Sequence, residues 1–173
     1  MFTSTLFYQQ PLSFATYRTY SFAVVFIIGN LLLPQLTHLI PKGGLIFLPI
    51  YFFTLIAGYK FGVWVGLLTA LLSPVLNNLL FGMPPSFVLP AILIKSCLLA
   101  STAALVAAKS KRISLLHILL VVLTYQIIGS GAEWLMTQSF ENAAQDFTTG
   151  IPGMLIQIFG GYLLLQKMKD YGV

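Results

Sequence analysis

The stretch ISLLHILLVVLTYQIIGSGAEWLM, Ile113 to Met136, is apolar on every side of a helix for its first half and carries no charge until Glu133. A helix that is hydrophobic all round must be buried in protein or in lipid. Ile118 to Leu123 within it, like Leu67 to Leu72 earlier in the chain, shows no period-two alternation, which excludes the strands of a membrane β-barrel. Burying several such helices in a soluble core is beyond a chain of 173 residues, of which 58% are hydrophobic and 8% charged. The solvent for most of this surface is therefore lipid, and the fold class is an all-α membrane protein.

A hydrocarbon layer about 30 Å thick takes roughly 20 helical residues per crossing. Apolar runs of that order, separated by Pro, Gly and polar punctuation, predict six transmembrane helices in a single domain covering residues 1–173. They fall at about 17–39, 45–59, 61–80, 87–108, 113–136 and 148–165, the second being short, and Pro74 is expected to kink the third. Gly82 followed by Pro84 and Pro85 is a stop signal for that third helix, while Asp146 or Thr148 is a candidate cap for the sixth. The segment Met1 to Leu12 lacks the basic start and apolar run of a secretory signal, so it is expected to be retained.

If the helices alternate, Arg18, Lys60, Lys109, Lys111, Arg112, Lys167 and Lys169 all fall on one side and only Lys42 on the other. Basic residues of short loops stay in the cytoplasm. Both termini are therefore expected to be cytoplasmic, in a multi-pass protein of a cell membrane. The net charge of +5 is thus topological, with no basic block of the kind that binds nucleic acid.

Ionisable and polar groups within membrane spans are costly and tend to face a cavity or one another. Gln126, Ser130, Glu133 and Thr137 recur on one stripe of the fifth predicted helix, bordered by Trp134. Glu133 is expected about 5–10 Å below the outer surface and Lys95, on the fourth helix, at about 12 Å. Such a pair either neutralises itself or flanks a charged solute. Asn77, Asn78, Thr149 and Gln157 also belong to the outer half or the middle, whereas Asn30, Gln35 and His38 on the first helix are read first as packing or headgroup contacts. The expected substrate-binding set is Asn77, Asn78, Lys95, Gln126, Ser130, Glu133, Trp134 and Gln157. The inner halves are rich in small residues, namely Ala15, Thr19 and Ala23, then Gly58, Gly62 and Gly66, then Ala100, Ala104 and Ala108. That spacing permits close helix packing or docking of another membrane subunit.

Motifs for catalysis are missing. The sequence has no Gly-rich phosphate loop followed by Lys-Ser or Lys-Thr, no metal-ligand spacing between His38 and His117, and one cysteine, Cys97, within an apolar stretch. No cofactor, metal or enzymatic activity is expected.

Leu48-Pro49-Ile50, Ala57-Gly58-Tyr59-Lys60-Phe61-Gly62, Gly66-Leu67-Leu68, Ser73-Pro74, Leu80-Phe81-Gly82-Met83-Pro84-Pro85 and Gly150-Ile151-Pro152-Gly153 with Gln157 together resemble the substrate-binding S components of energy-coupling factor (ECF) vitamin transporters. The resemblance implies a subunit that captures a vitamin-like solute from outside a prokaryotic cell. It also implies partners, a transmembrane scaffold subunit and two cytoplasmic ATPases, with toppling in the membrane to release the solute. Ala15, Thr19 and Ala23 form an imperfect version of the family's alanine-rich docking motif. Lys95 stands near a position that is often acidic in related S components, a departure that favours an anionic solute. The competing readings are a structural or assembly subunit of a membrane complex and a self-sufficient secondary transporter.

Overall fold

The computed structural model describes residues 4–170 and is an all-α, multi-pass membrane protein. Four helices are long and apolar enough to cross a bilayer: α1 (Tyr17–Thr37), α4 (Val63–Phe81), α5 (Leu89–Ser110) and α6 (Leu115–Thr137). Between α1 and α4 lie the short α2 (Gly43–Phe47), a 3-10 turn (Pro49–Tyr51) and α3 (Phe52–Phe61). After α6 come α7 (Phe140–Thr148), α8 (Ile151–Leu155), a π-turn (Ile156–Gly160) and α9 (Gly161–Met168). The α7 helix and the run Ile151–Met168 meet at 52°, and only taken together do they pass as a fifth span.

Six separate crossings are thus more than helix length and composition support among the described residues. The second expected helix, 45–59, is the one that falls short. Leu48 takes a left-handed conformation with φ 46° ahead of Pro49, so α2 stops and a new helix starts. The 3 residues of the turn and the 10 of α3 reach about 20 Å, against the roughly 30 Å of a hydrocarbon layer. The sixth also differs: the polar stretch after α6 is itself helical, started by Ser139, whose side chain accepts from the Asn142 amide at 3.3 Å. Neither Asp146 nor Thr148 caps the next helix, since the N-cap of α8 is Gly150.

The α5 helix is the centre of the bundle, packed on α3, α4 and α6, while α1 covers α3 and α4. Close packing depends on missing side chains at the α3/α4/α5 crossing. A Cβ on Gly58 would stand 2.6 Å from the Ala100 carbonyl oxygen, and one on Gly66 would stand 2.9 Å from the Gly58 Cα. At this same end the N-terminal segment lies as a strap. Its strand β1 (Thr5–Leu6) pairs antiparallel with β2 (Arg112–Ile113), and Gln9 Nε2 donates to the carbonyls of Gly58 and Ala104, each at 3.1 Å. Phe7 is fully buried, edge-on to Tyr59 and beneath Lys60, whose Nζ lies 5.1 Å from the Phe7 ring centre.

The small residues of α1 turn inward. Thr19 and Ala23 are buried within the chain, Thr19 donating to the Ser13 carbonyl at 2.6 Å, and Ala15 is exposed in the turn before α1. Ala15, Thr19 and Ala23 therefore do not make one exposed docking face, because their spacing selects a side of the helix without saying which side meets lipid.

Opening the crossing is expected to be costly. Gly58→Leu should lower stability by about 1–3 kcal/mol or abolish folding, whereas Gly131→Leu, with open space around its Cβ, should change it by less than about 0.5 kcal/mol. Thermal unfolding of both variants in detergent checks the contrast.

Candidate functional site

At the end of the bundle opposite the strap, a cavity of about 540 Å³ opens between the last turn of α1, the broken α2 region, the loop Met83 to Pro85, and α5, α6 and α7. Its size suits a small solute. Much of the wall is apolar, from Pro34, Leu48, Ile50, Val88 and Ile92, with His38 and Lys42 exposed at the rim.

Lys95, Glu133 and Asp146 form a charged cluster in the wall. Lys95 Nζ lies 2.6 Å from Glu133 Oε2 and 2.8 Å from Asp146 Oδ2, and the lysine residue is 3% exposed. Three elements deliver these groups. Lys95 projects from α5, and Gly129 of α6 clears its path, since a Cβ there would stand 2.5 Å from Lys95 Cγ. Glu133 comes one turn after Gly129 on α6. Asp146 sits with Ala143 on the buried side of α7. Gly153 lets α8 press against the backbone of Phe47, which explains the Gly-Ile-Pro-Gly stretch as the close packing of α8 on α2 beside the cavity.

Of the two readings of Lys95 and Glu133, the direct ion pair is the one observed, with Asp146 as a second counter-charge. The free cation on which an anionic solute was expected to rest is thus already held by two carboxylates. Removing one member of such a group strands the others without compensation.

The remaining expected residues divide. Asn77 lines the cavity, its Nδ2 donating to the carbonyls of Asn30 at 2.9 Å and Ser73 at 3.1 Å. Asn30 in turn donates to Thr54 and Ser73 and accepts from the Phe53 amide near the start of α3, a helix-packing role that joins α1, α3 and α4. Asn78 is a loop anchor: its Nδ2 donates to the Pro84 carbonyl at 2.7 Å and to Ser86 Oγ at 3.3 Å. Gln157, in the π-turn, accepts from the Tyr125 hydroxyl at 2.8 Å. Gln126 is fully buried and Ser130 half-buried, and the side-chain polar atoms of both lack hydrogen-bond partners among the described residues. Trp134 turns outward, edge-on to Phe140. Asn78, Gln126, Ser130, Trp134 and Gln157 do not line the cavity, so the helical stripe assembles at Glu133 alone.

Asp146 and Tyr51 are site residues that sequence reasoning does not pick out. Tyr51 lines the cavity and its ring lies 5.3 Å from that of Tyr125. Apolar residues at Phe140, Ala143, Ala144 and Phe147 carry the helical period that would have placed Asp146 on a packed element. Compared with protein-family models, curated proteins and solved structures, the chain matches none.

Lys95→Met is expected to lower stability by about 3–5 kcal/mol, and the triple variant with Glu133→Gln and Asp146→Asn to recover much of the loss. Thermal unfolding in detergent checks this, and an unchanged single variant would contradict the arrangement.

Proposed function

We propose that this chain is the substrate-binding S component of an ECF-type importer, capturing a vitamin-like small solute from outside and passing it inward with partner subunits. The observation that carries the reading is the position of the cavity. It opens at the end of the bundle away from Arg18, Lys109, Lys111 and Arg112, and by the positive-inside rule that end faces outward. A prokaryotic plasma membrane with cytoplasmic termini is the setting this requires.

The opposite end supports a division of labour. There the helices pack closely at Gly58 and Gly66 and the N-terminal strap covers them, so the described bundle has a cavity at one end and a closed surface at the other. The sequence has no P-loop, and the reading assigns ATP hydrolysis to two cytoplasmic ATPases coupled through a transmembrane scaffold. The competing assembly-subunit reading needs polar groups that seek neighbours in another chain. Lys95 instead finds both of its counter-charges, Glu133 and Asp146, within this one.

Purified alone and placed in liposomes, the chain is expected to bind one small solute and transport nothing until scaffold and ATPases are supplied. Radiolabelled uptake measured with and without partners tests this. Uptake by the isolated chain would overturn the proposal in favour of a self-sufficient transporter.

A further inference from the structure

We infer that the solute enters this cavity with a nitrogen cation that bears N–H donors, a primary ammonium, amidinium or guanidinium group, at its deep end. This rests on the reading of the cavity as a solute-capture site. Two features of the wall, its charge and its unused hydrogen-bonding capacity, lead to the same class of ligand.

One ammonium, Lys95, faces two carboxylates, Glu133 and Asp146, which as ionised groups leave a surplus of one negative charge beside an apolar wall. An uncompensated charge away from bulk water is expensive, and a second cation is the natural complement. The other lysine of the wall, Lys42, is exposed at the rim, where water screens it. A solute carboxylate brought to Lys95 would meet Glu133 and Asp146 at the same place.

The hydrogen-bond inventory is independent of the charge. Lys95 spends two of its three donors on Glu133 Oε2 and Asp146 Oδ2. Each carboxylate has a second oxygen with no hydrogen bond among the described residues, and neither oxygen is enclosed by protein. Asn77 lines the same cavity but adds nothing to this inventory, since its Oδ1 is enclosed by protein and its Nδ2 is doubly engaged. Two acceptors, one on each carboxylate, therefore await donors, against one remaining donor on Lys95. A quaternary ammonium would answer the charge but not the acceptors, so the geometry selects a nitrogen with hydrogens to give.

The test uses the full-length chain, mildly extracted, with native mass spectrometry to identify any retained solute. The washed preparation is then titrated with four matched probes, phenethylamine, its N,N,N-trimethyl derivative, 3-phenylpropionate and 2-phenylethanol, with thermal unfolding as the readout. Where a solute is retained its chemistry decides, and otherwise the probes do. A retained solute with an N–H-bearing cationic nitrogen, or stabilisation by phenethylamine above the other three, is the expected result. Asp146→Asn and Glu133→Gln should each weaken that binding at least about tenfold, and two variants guard against one that fails to fold. A retained acid without a basic nitrogen, or stabilisation by 3-phenylpropionate, would overturn the ligand class and leave solute capture standing. Equal stabilisation by the trimethyl derivative would overturn the requirement for N–H donors. No retained solute and no response to any probe would overturn capture itself.

Discussion

A lysine buried in the middle helix of a lipid-embedded bundle must find counter-charge inside the protein, and the rest of this structure is arranged around that demand. Lys95 lies on α5, the helix that packs on α3, α4 and α6. Its partners come from α6 and from α7, so satisfying one ammonium fixes how the last third of the chain returns to the bundle. The α7 helix is held over the cavity by Asp146 and then bends by 52° into the run that ends at Met168. Isolated charges in such surroundings cost far more than paired ones, which is why the polar α7 remains attached to an apolar bundle.

The two ends of the bundle answer different requirements. Around the cavity the helices are interrupted: Leu48 and Pro49 break one of them, and Asn78 ties the Pro84 carbonyl of the adjoining loop. These interruptions bring side chains to the cavity wall that continuous helices would turn to their neighbours, the buried Tyr51 among them. The strap end has the reverse character. Gly58, Gly66 and Ala100 bring backbones into contact, and Gln9 uses its amide to bond carbonyls of α3 and α5 together. A bundle open at one end and sealed at the other has a direction, and on the proposed reading the basic residues of the sealed end set its sense across the membrane.

Much of the fold is legible in the sequence because the long helices write themselves as apolar runs of membrane length. The second helix is misread for a local reason, since the apolar run continues across the break that Pro49 marks and Leu48 makes. The strap escapes notice because a strand pair of two residues has no period to detect. For the site, Lys95 and Glu133 are visible as charges at matching depth, but spacing on one helix cannot report what another helix brings. Asp146 therefore looks like a cap, and Gln126, Ser130 and Trp134 group with Glu133 although only Glu133 reaches the cavity. Thr19 and Ala23 show the same limit, for their spacing defines a face that the fold then turns inward.

On this account the cavity with its buried charges opens to the outside of the cell while the strap end faces the cytoplasm. Single cysteines in a Cys97→Ala background test that orientation most directly, one at Gln145 on the cavity rim and one at Lys111 at the strap end. In intact cells a membrane-impermeant thiol reagent should label Gln145→Cys at once and Lys111→Cys only after permeabilisation. The opposite pattern, with Lys111→Cys labelled from outside and Gln145→Cys protected until the membrane is opened, would contradict the account.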